Sequence, residues 1–454
     1  MFARAVVRRF PVLGYRDFRL LLADRLLAPT AFAFSLVGVS FAVLYTTGST
    51  ADLSYVLAAQ IAPSLIFTLI GGVIADRVPA QWVIIAGNVM IALGEGTFGV
   101  LVLVGHPQLW QMILLETLTG TGMAIFYPAS QALVPRLVPG DLMQEASAIS
   151  RLAMNAGQMG GATLAGLCVA AFGPGWALAV CGVGMLVSVP LLLSIRATGS
   201  ARARDTGLLH DLRDGWSEFR SHTWLWVIVA QFGVVLMAWY GAFQILGPVV
   251  AKAHLGGPAA WGAITAADSV GLIVGGIVSL RFTPRRPMLF VVTIGAAIAV
   301  APLALAMLWP LPLVCLASFG LGITIEIMMV QWTVALARNI PPDMLARVSS
   351  YDLLGSVMAM PIGALIAGPL AAAIGVSATQ YGAVALIIVA SALALIPRDV
   401  RRASPGGTTP QDPPAYHPLG PASGRPSQLV PASPTPVAQE TSSASPVNTA
   451  HIAA

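Results

Sequence analysis

Two similar segments decide the fold: GGVIADR at residues 71–77 and GGIVSLR at residues 275–281. Each closes an apolar stretch of about 20 residues, the length that an α-helix needs to cross the hydrocarbon core of a bilayer. Each also ends in arginine, which favours the cytoplasmic membrane surface. A repeat of this kind in an apolar chain predicts a membrane protein built from two related halves, an arrangement common among transporters.

The composition indicates that lipid is the solvent. Of the 454 residues, 57% are hydrophobic and 9% are charged, and the mean hydropathy is +0.81. A soluble domain carries about 25% charged residues, so this chain could not cover a water-exposed surface of its size. The net charge of +5 reflects arginines in loops, and we expect a bilayer rather than nucleic acid as the partner. Three cysteines inside apolar runs have no metal-ligand spacing, so no metal or other cofactor is expected.

Twelve apolar runs near the spanning length can be marked along the chain. The predicted spans are 18–44, 52–75, 82–104, 108–134, 146–171, 174–195, 223–251, 259–280, 287–308, 311–337, 347–374 and 377–396. The predicted fold class is an all-α integral membrane protein with twelve transmembrane helices in two pseudo-symmetric six-helix bundles. The predicted domains are an N-terminal bundle (1–195), a polar cytoplasmic connector (196–222), a C-terminal bundle (223–397) and a proline-rich disordered tail (398–454).

The arginines predict the orientation of the chain in the membrane. When alternate loops are assigned to alternate sides, one side collects Arg77, Arg136, Arg281 and Arg338, whereas the other side holds Lys252. The positive-inside rule then places both termini and the connector in the cytoplasm. Because lysine is nearly absent beside the arginines, we expect the membrane to be the plasma membrane of a bacterium.

Further matched segments extend the repeat. LTGTG at 118–122 matches SFGLG at 318–322, and GATLAG at 161–166 matches GALIAG at 363–368. Several pairs in the same order are hard to obtain by chance among glycine-rich helices. They relate spans 4 and 5 to spans 10 and 11.

The loop after span 2 carries Gly72-x-x-x-Asp76-Arg77 and resembles the signature of the major facilitator superfamily. FYPASQALVP at 126–135 and LGPVVA at 246–251 are similar to the branch of enterobactin exporters and macrolide efflux proteins. The loop continues as VPAQ at 78–81 where the family has further basic residues. The second copy has Leu280 in place of the aspartate.

The resemblance and the charge pattern suggest a cytoplasmic latch between the halves, formed by Gly72, Asp76, Arg77 and Arg281. The Asp76 carboxylate can meet the positive end of a helix, or an arginine, from the other half when the cytoplasmic side is closed. Alternatively, Asp76 is a loop charge that stops the helix in the headgroups.

We expect Asp76→Asn to slow transport while leaving membrane insertion intact, because the variant loses the charge that closes the latch. Leu280→Asn, at the matching place in the second half, should change little. Initial transport rates at equal membrane content compare the two variants. Equal rates in Asp76→Asn and the wild type would remove the latch.

Carboxylates inside spans cost about 2.5–3.5 kcal/mol on insertion scales and call for a reason. A carboxyl group that takes up and releases a proton would supply the chemistry of proton-coupled transport. The candidates are Glu326, Glu116, Asp24 and Asp268. The resemblance places spans 1, 4 and 10 on the central cavity, and Glu326 comes first because it lies near the middle of its span. Interfacial snorkelling is the alternative for Asp24. For Asp268 a structural role and a functional role are equally open, and Glu95 is interpreted as a packing or interhelical hydrogen-bonding group.

Polar and aromatic residues on the predicted cavity helices suggest a substrate site. These candidates are Gln131, Gln331, Tyr127, Trp332, Trp239, Gln244 and Arg25. An apolar cavity with few hydrogen-bonding groups suits a bulky amphiphilic solute better than a sugar. Packing or an interfacial aromatic belt is the alternative for the aromatic residues.

The function predicted from these features is that of a secondary active transporter, not an enzyme. We expect proton-coupled efflux of a small amphiphilic compound (a drug, antibiotic, secondary metabolite or siderophore) by alternating access in a monomer. The chain has no phosphate-binding loop of the Gly-x-x-x-x-Gly-Lys type for ATP. A uniporter or proton-symporting importer is the closest alternative, and a non-transporting membrane sensor ranks low.

Overall fold

A computed structural model of the protein describes the backbone at 10–77, 79–105, 107–195, 216–279, 281–282, 284, 286–340, 342–397 and 399–400. It does not describe the side chains of 64–77, 127–128, 131–132, 135–136, 342–343, 345–347 and 350. Most of the predicted connector and nearly all of the predicted tail lie outside these ranges. The division into four domains therefore stays a prediction.

The first half of the chain forms six long helices. They are α1 (Arg16–Thr46), α2 (Thr50–Arg77), α3 (Ala80–Val104), α4 (Leu109–Leu137), α5 (Met143–Phe172) and α6 (Pro174–Leu193). The connections are short, so neighbours along the chain run in opposite directions. The tightest connection is Gly173 between α5 and α6, with φ of 91°, a conformation that glycine adopts without strain.

Six further helical segments follow. They are α7 (Thr223–Leu255), α8 (Pro258–Ser279), α9 (Pro287–Ala306), α10 (Leu311–Asn339), α11 (Pro342–Val357 and Met360–Ile374) and α12 (Val376–Ala394). Within the described ranges, ten helices are long and apolar enough to cross a membrane. Together with α2 and α5 they give the predicted twelve, so the all-α membrane fold is confirmed.

The helix α7 changes geometry twice. Its residues Tyr240–Ile245 and Ala251–Leu255 form π-helical turns inside the longer segment. The Gln380 side chain on α12 donates a hydrogen bond of 3.0 Å to the Ala242 carbonyl oxygen. This bond gives a side-chain partner to a backbone group inside the first π-turn, where the regular α-helical pattern is interrupted.

Two helix pairs, α5 with α8 and α2 with α11, join the first six helices to the last six. Glycine allows each pair to approach closely. A Cβ atom on Gly166 of α5 would lie 2.9 Å from the Pro258 carbonyl oxygen of α8. A Cβ atom on Gly368 of α11 would collide with the Thr50 carbonyl oxygen of α2. These two glycines close the matched GATLAG and GALIAG segments, which therefore occupy equivalent places at the two junctions.

Candidate functional site

The ends of the helices define two faces. The face that holds the α2–α3, α4–α5, α8–α9 and α10–α11 connections carries the arginines counted above and is called the arginine face. The other is called the opposite face. At the opposite face, Lys252 Nζ of α7 donates 2.6 Å to the Leu44 carbonyl oxygen of α1 and lies 4.8 Å from the centroid of the Tyr45 ring. Together with Gly368, this contact draws the two sets of helices together at that face.

We expect Lys252→Met to open the opposite face more often, because it removes a charged donor and a cation–π contact. If these contacts stabilise the closed state of this face by about 1 kcal/mol, their loss lowers the ratio of closed to open protein about fivefold. Spin labels on the α1–α2 and α7–α8 connections report the distance by double electron–electron resonance. Lys252→Arg keeps the cation and serves as the control. An unchanged distance distribution in Lys252→Met would show that the contact does not hold this face closed.

Towards the arginine face, α1, α4 and α5 enclose a cavity of about 470 Å³. Its polar lining includes Arg25 of α1 and Arg151, Asn155 and Gln158 of α5. A second, mainly apolar cavity of about 210 Å³ lies deeper among α1, α3, α4, α5 and α6. Both cavities are lined by Met154 and Gln158, so they adjoin each other.

The guanidinium group of Arg25 is almost fully buried at the polar cavity, with 2% of the residue exposed. One terminal nitrogen donates 2.6 Å to the Ser130 carbonyl oxygen, and the other lies 2.9 Å from the Met154 sulfur atom. These contacts hold the charged group between α1, α4 and α5. The structure thus places this predicted substrate contact at the wall of a cavity.

An ion pair links the two sets of helices at this cavity. Glu326 Oε1 of α10 lies 3.5 Å from Arg151 Nη1 of α5. The Arg151 side chain is 70% exposed and that of Glu326 is 12% exposed. A largely but not fully buried carboxylate of one half therefore faces an accessible cation of the other half, at the middle of α10.

The remaining carboxyl candidates lie elsewhere in the bundle. Asp24 is buried and accepts a hydrogen bond from Ser188 of α6, which in turn accepts one of 2.8 Å from Asn88 of α3. The Asp24 carboxylate is therefore held inside the first six helices and does not snorkel. Asp268 of α8 is half-buried, and its Oδ1 atom has no hydrogen-bond partner within the described residues.

Glu116 belongs to a buried polar cluster among α1, α2, α3 and α4. Its Oε2 atom accepts 2.7 Å from Gln60 Nε2, and Glu95 Oε1 accepts 2.6 Å from Ser35 Oγ. Both glutamates are fully buried and act on each other electrostatically. Glu95, interpreted from the sequence as a packing or interhelical hydrogen-bonding group, makes such a hydrogen bond beside a candidate residue.

Two residues predicted to line the substrate cavity are bound within the second half. Gln331 Nε2 donates 2.8 Å to the Phe282 carbonyl oxygen. Trp332 is 3% exposed, and its ring nitrogen donates 2.8 Å to Asp352 Oδ2 of α11. Both contacts are of the kind that fixes helices to one another. In this structure these hydrogen bonds hold the Gln331 and Trp332 side chains away from the cavity beside Arg25.

The other predicted residues are dispersed. Trp239 and Gln244 are half-buried on α7, where the Trp239 ring stacks on Phe243 at 6.2 Å. Arg281 is exposed in the turn after α8. The side chains of Tyr127, Gln131, Asp76 and Arg77 lie outside the described residues, and so do the surroundings of Gly72, so the latch stays a prediction.

Sequence reasoning missed the face of α5 that lines the cavity. Ser147, Arg151, Met154 and Gln158 follow one another at steps of three or four residues, the spacing of one helix face. Arg151 lies within the predicted span 146–171, and its charge places it near the arginine face without marking it as a lining residue. The periodicity of these residues was the signal that could have identified a lining face.

Comparison with known proteins gives the family. The sequence pattern described as Major Facilitator Superfamily matches residues 26–351, which is well over half of the chain. The chain belongs to the major facilitator superfamily. It is accordingly a multi-pass membrane transporter of small molecules and not an enzyme.

Enterobactin exporters are among the relatives of this protein. That of Escherichia coli O1:K1 is 27% identical over 341 residues, which cover 74% of this chain and 80% of the relative. That of Salmonella typhi is 26% identical over 339 residues, with 74% and 81% covered. The predicted resemblance to this branch is thereby confirmed.

Solved structures of transporters share the fold. The nucleoside transporter NupG superposes with a TM-score of 0.69 at 12% identity and covers 84% of this chain and 98% of its own. A bacterial homolog of the human lysosomal transporter Spinster gives a TM-score of 0.64 at 16% identity, covering 85% and 97%. At these identities the likeness establishes the fold alone.

Proposed function

We propose that this protein is a proton-coupled exporter of a small amphiphilic compound that works by alternating access. The observation that carries the proposal is the ion pair between Glu326 of α10 and Arg151 of α5, 3.5 Å apart. It joins the two halves at the wall of a polar cavity. A group that can bind a proton therefore lies where the halves must separate and rejoin.

The proton acts through the charge of Glu326. While the carboxylate is ionised, it attracts the Arg151 guanidinium and favours contact between α5 and α10. A proton on Glu326 removes this attraction and leaves Arg151 available to another anion or to water. Binding of the proton and the position of α5 relative to α10 are then linked, as coupled transport requires.

The contacts of the two faces are consistent with the first step of export. Lys252, Gly166 and Gly368 hold the helices together at the opposite face, whereas the polar cavity lies towards the arginine face. If the arginine face is cytoplasmic, as the positive-inside rule predicts, this state is suited to collecting a compound from the cytoplasm. Both termini would then be cytoplasmic, in the bacterial inner membrane.

The relatives suggest the kind of compound. Enterobactin exporters are named for a siderophore, and a siderophore, drug, antibiotic or secondary metabolite would fit a cavity that is polar at one end and apolar at the other. We propose that the protein works as a monomer, with this compound and protons as its ligands.

Everted membrane vesicles test the direction and the coupling together. Enterobactin is supplied outside as the test compound, and an acid-inside gradient is imposed. We expect gradient-dependent accumulation that collapses when a protonophore is added. Accumulation driven by an acid-outside gradient would favour the proton-symporting importer, and equilibration without any gradient effect would favour the uniporter.

A further inference from the structure

We infer that the two adjoining cavities of the first six helices form the substrate site, and that the substrate class is an organic anion with an aromatic or bulky apolar body. This inference rests on the proposed export function and adds the charge and shape of the compound. Of the predicted substrate residues, which lie on α1, α4, α7 and α10, it keeps Arg25 of α1 and adds the lining face of α5.

The polar cavity is built for a negative head group. The described residues that line it include two arginines, Arg25 and Arg151, and no carboxylate. The neighbouring Asp24 acts electrostatically on Arg25, but its carboxylate accepts a hydrogen bond from Ser188 of α6 and is absent from this lining. A buried guanidinium and an accessible one on the same wall favour a carboxylate, sulfonate or similar anion.

The deeper cavity is built for an apolar body. Its lining includes the aromatic rings of Phe32 and Phe126 and the thioethers of Met123, Met154 and Met185. Methionine side chains adapt their shape, and their sulfur atoms make favourable contacts with aromatic rings. Among the described residues that line this cavity, none is charged.

The polar residues at the boundary orient the ligand. Gln158 lines both cavities, and Asn155 lines the polar one. Their amide groups can donate to or accept from hydroxyl, carbonyl or amide groups on the ligand. A compound lying across the boundary would place its apolar body inward and its anionic head beside Arg25 and Arg151.

Glu326 and an anionic ligand would compete for Arg151. The same guanidinium can serve Glu326 or the anionic head group, but the carboxylate disfavours a second anion beside it. Removing the charge of Glu326 should therefore strengthen anion binding, whereas removing the charge of Arg151 should weaken it. A merely structural ion pair would give the same result for both substitutions.

The test is equilibrium dialysis of two matched probes against the full-length protein in lipid nanodiscs without a proton gradient. The anionic probe is naphthalene-2-sulfonate, and the cationic probe is naphthalen-2-ylmethylammonium, which carries the same ring system. We expect the anion to bind the wild type about tenfold more tightly than the cation, and Arg151→Gln to lose about tenfold of that affinity. Glu326→Gln should bind the anion as tightly as the wild type or more tightly. Arg338→Gln, an exposed arginine outside the cavity, should leave binding unchanged.

Equal binding of the two probes, or anion binding that Arg151→Gln leaves intact, would overturn the assignment. Weakening by Glu326→Gln to the same extent as by Arg151→Gln would overturn it as well. Because the Arg151 side chain is 70% exposed, its substitution should not prevent folding, and circular dichroism of the nanodisc sample checks this. Equilibrium binding does not depend on a proton gradient or on the direction of transport. Loss of anion binding in dialysis can therefore be told apart from loss of export in vesicles.

Discussion

Glu326→Gln should reduce gradient-driven accumulation of the test compound to the level of vesicles that lack the protein. Glutamine fills nearly the same space, so the packing of α10 against α8 stays close to that of the wild type. It cannot exchange a proton with water, however, and it cannot hold Arg151 by charge. The variant should still exchange labelled for unlabelled compound across the membrane, because exchange requires alternation but no net movement of protons.

Two transport assays on the same vesicles separate these outcomes. Accumulation is measured with an imposed acid-inside gradient, and exchange is measured at equal pH on both sides. Glu218→Gln is the matched control, because Glu218 precedes α7 and contacts His222 at 3.0 Å, away from the cavity. Full gradient-driven accumulation by Glu326→Gln would assign coupling to another carboxylate, with Glu116 next in order.

Gly368→Ala should impair transport strongly by preventing the opposite face from closing. A Cβ atom at this position would collide with the Thr50 carbonyl oxygen and the Ser54 hydroxyl of α2. Backbone atoms cannot move aside cheaply, and such overpacking costs about 1–3 kcal/mol. Because the collision exists only while α2 and α11 are in contact, the cost falls on the closed state of this face. Its population should drop by about 5- to 150-fold.

The matched control is Gly382→Ala on α12, where an added Cβ atom meets nothing within 4 Å. Both substitutions raise helix propensity equally, so a difference between them reports the contact. The measurements are the initial transport rate and the reactivity of a cysteine placed on the α1–α2 connection towards a membrane-impermeant reagent. Wild-type rate and reactivity in Gly368→Ala would show that the junction tolerates separation.

Much of the fold follows from sequence because lipid imposes a simple length rule on each helix. The apolar run predicted at 82–104 corresponds to α3 (Ala80–Val104), and the run at 174–195 corresponds to α6 (Pro174–Leu193). The rule is weaker where a helix lines a polar cavity. The first turns of α5 carry serine and arginine, so this helix is less apolar than the ten that hydropathy marks most clearly, although the run at 146–171 is among the twelve predicted spans.

The candidate site was predictable in part. Arg25 and Glu326 stand out in the sequence because a charged residue within an apolar run is costly and needs a partner. Their partners could not be predicted, since the Arg151–Glu326 pair depends on how α5 and α10 meet across the two halves. Trp332 was predicted to line the substrate cavity, but its ring nitrogen donates to Asp352 of α11. The direction of this side chain depends on the rotation of α10 about its axis, which the sequence does not give.

The π-turns of α7 make this helix tolerant of a change in length. A π-turn holds one residue more than an α-turn, so deleting one residue within Tyr240–Ile245 can restore an ordinary turn and leave the chain beyond it in phase. The same deletion in the regular part of α7, at Val234, would rotate everything beyond it by about 100°, and Lys252 would swing away from Leu44. The first π-turn thus contains one residue more than a regular turn needs. Homologous chains can lose that residue at this place without rotating the outer end of the helix.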